Sequence, residues 1–145
     1  MREDYEITII GRQTIDAQTD EIQVDTLGDY TERGGAKYIS YTEYADEAPY
    51  NGQLKVLKIE NEDTVTMLTP GTPTRLVLEK GKRHKCLYDT GAGVLSLGIY
   101  TQTLKLDLSA AGGELCTRYT LDIDTQLSSS NEICVRLRKR DLFNK

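Results

Sequence analysis

Apolar and polar positions alternate with period two along most of this chain, and no segment sustains the 3.6-residue period of an amphipathic helix. The clearest run is Thr103 to Ser109, with Leu104, Leu106 and Leu108 on one face and Lys105 and Asp107 on the other. Successive side chains of a strand point to opposite faces, so such a run reads as a half-buried strand. The same pattern predicts strands over residues 5–16, 21–31, 36–45, 53–60, 64–69, 75–79, 83–89, 94–101 and 115–124, and a last one holding Ile133, Val135 and Leu137. Gly34-Gly35, Asn61-Glu62-Asp63, Pro70-Gly71-Thr72-Pro73, Lys80-Gly81-Lys82, Ala110 to Gly113 and Ser128 to Asn131 punctuate them as turns. Asp46 to Gly52 reads as a loop in which Asn51-Gly52 marks a tight turn. Gly11 and Gly98 read as bulges or bends inside strands, and Gly28 breaks the alternation before Tyr30.

Short strands joined by short turns describe an antiparallel meander. Long strands bent by internal glycines favour closure, which also removes the sheet edges. The expected fold is therefore all-β: a single antiparallel up-and-down β-barrel of about 8–10 strands. It forms one domain over residues 1–145, with a core over about 5–138 and a short basic C-terminal tail. Seventeen threonines and nine tyrosines support strands, because β-branched and aromatic side chains suit a pleated surface.

Composition narrows the function classes. A 38% hydrophobic and 28% charged chain is globular rather than disordered. The net charge of −5 argues against a nucleic-acid partner, which needs clustered positive charge. Arg136, Arg138, Lys139 and Arg140 form a basic cluster near the C-terminus, and they read as a strand face running into a solvated tail. No apolar run nears the ~20 residues of a membrane-spanning helix, so no membrane partner is expected. Ile7-Thr8-Ile9-Ile10 is too short for a signal-peptide core, and a cytoplasmic location is expected. Cys86, Cys116 and Cys134 are odd in number and lie in apolar or alternating runs, so free buried thiols are expected.

The order of several short motifs adds a further clue. Gly28-Asp29-Tyr30, Tyr38-Ile39-Ser40-Tyr41-Thr42-Glu43, Leu57-Lys58-Ile59 and Tyr88-Asp89-Thr90 with Gly93 follow one another. Gly113-Glu114-Leu115, Tyr119-Thr120-Leu121 and Asn131-Glu132-Ile133 close the series. This ordered set resembles the YwiB-like family, bacterial barrels of uncharacterised activity with a calycin-type, lipocalin-like fold. The resemblance implies that fold and no activity. The chain departs from the family where Gly91-Ala92-Gly93 replaces the usual Pro, aromatic and Gly after the threonine. Lipocalins proper carry a Gly-x-Trp near the first strand, and this chain has no tryptophan. Fatty-acid carriers use an Arg-x-Tyr near the end, whereas Arg118 and Tyr119 are adjacent and face opposite ways.

Candidate chemistry is sparse. Asp89-Thr90-Gly91-Ala92 resembles the aspartic-protease signature, which works through two aspartates sharing one proton. One copy would demand a homodimer, and Leu95-Ser96-Leu97-Gly98 follows too closely to brace such a site. A turn explains Asp-Thr-Gly equally well. His84 and Cys86 share a strand face but lack the further ligands of a zinc site. Asp122 with Asp124, and Glu60 with Glu62, read as solvent faces. No metal or cofactor is expected.

More informative are polar residues whose alternation can turn them inward. Tyr41 and Glu43 share the face of Ile39, Lys58 that of Leu54 and Val56, and Arg75 that of Val77. Lining a barrel, these charges would need partners: each other, or a polar ligand. Tyr41, Glu43, Lys58 and Arg75 are therefore the candidate ligand-binding residues. The expectation is a non-catalytic barrel, monomeric or homodimeric, that binds a small molecule or a protein partner. A dimeric hydrolase using Asp89 and a structural barrel with a packed interior are the alternatives.

Overall fold

A computed structural model describes residues 3–45, 48–89, 91–123 and 126–140. The ten strands are β1 (Tyr5–Ile15), β2 (Gln18–Arg33), β3 (Ala36–Ala45), β4 (Ala48–Asn61), β5 (Thr64–Leu68), β6 (Arg75–Glu79), β7 (Arg83–Asp89), β8 (Val94–Ser109), β9 (Gly112–Ile123) and β10 (Gln126–Lys139). Each pairs antiparallel with its sequence neighbours, and β1 meets β10 to close the barrel. The expected all-β, up-and-down barrel is the observed one. No helix among the described residues is long and apolar enough to cross a membrane.

The barrel has two ends. One gathers the termini and the turns at Gly34-Gly35, Asn61 to Asp63, Lys80 to Lys82 and Ala110-Ala111; we call it the termini end. There the Arg140 N–H donates to the Asp4 carbonyl at 2.8 Å. The far end carries the Asp16-Ala17 turn and the loops between β5 and β6 and between β7 and β8.

The inner face is packed with the chain's own side chains. Tyr5, Ile7, Ile39, Leu57, Ile59 and Val135 belong to the cluster towards the termini end. Leu78, Cys86, Ile99 and Tyr119 form a second. At roughly 25 cal/mol per Å² of apolar area removed from water, this burial is the main force holding the wall closed. Gly28 sits where β2 meets β3: a Cβ there would press on the Ser40 carbonyl oxygen and on Ile7 Cδ1.

Several expectations are corrected. Residues 94–109 are one strand rather than two, and the irregularity lies between Thr101 and Thr103, not at Gly98. β1 keeps register through Gly11 with both neighbours, so there is no bulge there. Asn51-Gly52 lies inside β4 rather than in a turn. Cys86 is free and buried, as expected, but Cys116 and Cys134 are disulfide-bonded. They are direct cross-strand partners on β9 and β10, with Cα atoms 4.1 Å apart. Sequence alone did not reveal that register.

Candidate functional site

Open space lies at both mouths of the barrel, and further clefts run along β1 and β2. At the far end, two cavities of about 270 and 110 Å³ share Lys55, Thr69, Thr74 and Tyr88. The larger adds Gln53, Thr72 and Asp89. The smaller reaches inward past Tyr41, Glu43, Met67 and Leu76. The termini end holds a cavity of about 310 Å³ beside Lys37, Glu60 and Glu62. That cavity is larger but less apt. Lys37 Nζ is already tied to the Leu108 carbonyl at 2.6 Å, as a plug would be.

Lys55 is the centre of the far mouth. It shares the inward face of β4 with Leu57 and Ile59, both buried. Its Nζ donates to Thr69 Oγ1 at 3.0 Å. An ammonium has three donors, and no other hydrogen bond or ion pair of Lys55 is made among the described residues. Two of its donors therefore have no partner among the described residues.

The floor of this mouth is a braced loop. The Thr72 hydroxyl donates to the Thr69 carbonyl at 2.8 Å and accepts the Thr74 N–H at 3.2 Å. Thr74 Oγ1 accepts the Asp89 N–H at 2.9 Å, joining this loop to β7. Pro70 and Pro73 stop the chain from continuing as a strand here. Threonine hydroxyls replace ladder bonds and keep buried backbone groups satisfied. Behind the loop, burial, and then the charge of Glu43, push the Tyr41 phenol up to about 12. Tyr41 therefore stays neutral at ordinary pH.

Of the four residues singled out by alternation, Tyr41 and Glu43 line this mouth. Lys58 and Arg75 are on the outer face. Lys58 Nζ lies 3.6 Å from Glu60 Oε1, both half-exposed, and Arg75 is exposed. The inward residues are Lys55, Leu57 and Ile59 on β4, and Leu76 and Leu78 on β6. On β4 Leu54 and Val56 face away from Leu57 and Ile59, and on β6 Val77 faces away from Leu76 and Leu78, so each strand has apolar residues on both faces and the pattern is ambiguous. The residue missed was Lys55. The signal that identifies it is register, since Lys55 pairs with inward-facing Tyr41.

The other motifs resolve into structural roles. Asp89 Oδ1 accepts the Gly91 N–H at 2.9 Å, an Asx turn. Thr90 lies outside the described residues. The aspartic hydrolase is not supported. His84 Nε2 meets Glu79 Oε1 at 2.8 Å, and His84, then Lys82, holds the Glu79 carboxyl below its ordinary value. No group of three metal-ligating side chains converges among the described residues. Asp122 makes a two-pronged contact with Arg83 at 2.6 and 3.0 Å, while Asp124 lies outside the described residues. In the basic cluster, Arg136 meets Glu114 at 2.7 Å and Arg138 meets Glu6 at 3.8 Å.

Comparison with known proteins agrees with this picture. The crystal structure of the ywiB protein from Bacillus subtilis superposes with a TM-score of 0.82 at 17% identity, over 94% of this chain and 92% of that one. That likeness establishes a shared fold. No curated protein matches the chain. Residues 7–135 match the model of the domain of unknown function DUF1934. The chain belongs to that family.

Proposed function

We propose that the barrel binds a small polar molecule at its far mouth without transforming it, and that Lys55 anchors an anionic group of that molecule. One observation carries this: a lysine on the inner face, lining a cavity of about 270 Å³, with a single threonine hydroxyl as its partner. Its remaining donors are open to an anionic group entering the cavity. Gln53, Tyr88 and the carboxylates of Asp89 and Glu43 surround it. They suit a ligand that also bears hydroxyl or amine groups. The small volume favours a metabolite below drug size.

The proposal keeps the protein in the cytoplasm of a bacterium, as a calycin-like binding barrel. The free buried thiol of Cys86 supports that compartment. The Cys116–Cys134 bond weighs against it, since disulfides persist in oxidising surroundings.

The test is an amide NMR titration of the whole protein with inorganic phosphate and with acetate, followed by native mass spectrometry. Saturable shifts at Lys55, Thr69, Thr72 and Thr74 that vanish in Lys55→Met are expected. Shifts that survive in Lys55→Met, or no shifts at this mouth, would overturn the proposal.

A further inference from the structure

Strand β2 is 16 residues long, but it is flanked on both sides over only part of that length. It pairs with β1 from Gln18 to Gly28, and with β3 only from Gly28 to Arg33. Beyond Tyr41, β3 goes on paired with β4 alone. Among the described residues, 19–27 therefore have a strand on one side and none on the other. Ile15 and Gln18 flank a two-residue turn and form a hydrogen-bonded pair. The alternation of an antiparallel ladder then turns the N–H and C=O groups of Thr19, Glu21, Gln23 and Asp25 away from β1.

The side chains of this stretch repeat the message. Ile22 and Val24 stand opposite Gly11 and Ile9, on the face that elsewhere is core, yet they are 63% and 40% exposed. Asp20, Glu21 and Asp25 make the stretch acidic and residues 18–27 contain no basic residue, although Arg12 of β1 pairs with Glu21 at 2.7 Å. Natural sheets usually blunt an open edge with lysine, proline or a bulge. This stretch has no lysine or proline and holds unbroken register with β1.

We infer that residues 19–27 of β2 dock an extended segment of a protein partner, which adds to the barrel wall as one more strand. Backbone hydrogen bonds supply affinity, and alternate side chains supply specificity. The partner's apolar side chains cover Ile22 and Val24. On the opposite face its basic side chains meet Asp25 and Glu21, the latter beside Arg12. A second copy of β2 fits poorly, because it would set carboxylates against carboxylates across the new ladder. This surface is separate from the Lys55 mouth, so either can fail without the other.

The experiment uses the whole labelled protein and a short capped peptide of alternating valine and lysine. Saturable shifts confined to residues 19–27 are expected, with slowed amide exchange at Thr19, Glu21, Gln23 and Asp25. The same peptide N-methylated at alternate residues cannot extend the ladder and binds roughly tenfold weaker or less. A valine–glutamate peptide is also expected to fail. Equal binding of the N-methylated peptide, shifts elsewhere, or no shifts would overturn the inference. So would a dimer that already protects these amides. The decisive change is made in the peptide, so no variant needs to fold.

Discussion

The Sγ of Cys86 accepts the backbone N–H of Val77 at 3.2 Å. β6 and β7 share one ladder pair, Arg75 with Leu87, so a side chain takes the place of a backbone acceptor. Cys86→Ala removes both the buried sulfur and that acceptor. We expect a loss of about 2 kcal/mol in urea unfolding, most of it from the unsatisfied amide. Cys86→Ser keeps an acceptor, so the Val77 amide should stay protected from exchange there and lose protection in the alanine variant. Equal exchange in both would show that the sulfur only fills space. Burial also raises the Cys86 thiol above its ordinary pKa, so thiol reagents should label it only on unfolding.

The Cys116–Cys134 bridge closes a loop with a sequence separation of 18. Restricting the unfolded chain over such a loop is worth about 3 kcal/mol. Reduction by a dithiol, or the double Cys→Ser variant, should lower stability by that order while leaving the β9–β10 ladder intact. Unchanged stability on reduction would mean that the bridge adds nothing beyond the ladder. Trapping thiols in intact cells before lysis reports whether the bridge forms there.

Burial raises the phenols of Tyr41 and Tyr119 to about 12, against about 10 in an unfolded chain. A raised folded value means that the native state favours the neutral form. Their contribution is fully present below pH about 10 and is lost as pH climbs towards 12. Alkaline unfolding should fall in that window, costing of the order of 2 kcal/mol per phenol. Phenolate absorbance should then rise in step with loss of the barrel signal. A phenolate signal that rose near pH 10 with the barrel intact would contradict this burial.

Ala17 sits at φ 65° in the turn between β1 and β2, after Asp16 at φ 48°. Aspartate tolerates the left-handed region, and alanine does so at a cost of about 1–2 kcal/mol. Ala17 is exposed, so Ala17→Gly should relieve that cost without losing packing. We expect a gain of about 1 kcal/mol by thermal or urea unfolding. A loss would place the strain elsewhere.

Much of the barrel was legible because a wall with one wet face prints its pleat on the sequence. Leu104, Leu106 and Leu108 show this plainly, and β8 runs through them. Turns at Gly34-Gly35 and Lys80-Gly81-Lys82 were legible for the same local reason. The candidate site was legible by half. Tyr41 and Glu43 share a strand with Ile39, whose burial fixes their direction. Lys55 and Lys58 lie on a strand with apolar residues on both faces, and only pairing with β3 decides between them. The disulfide was hidden for a related reason, since it depends on the register of β9 against β10.

The hydrogen bond from Arg140 to Asp4 has one more implication. Among the described residues every ladder but one joins strands adjacent in sequence, and the exception is β1 with β10. In connectivity the molecule is a ring with a single missing link. A short linker between residues 4 and 140, with the chain opened at Gly34-Gly35, would preserve all ten ladders under a new sequence order. The native barrel is indifferent to where the ring is cut. Its folding route is not, because the cut decides which seam has the greatest loop to close and so zips last.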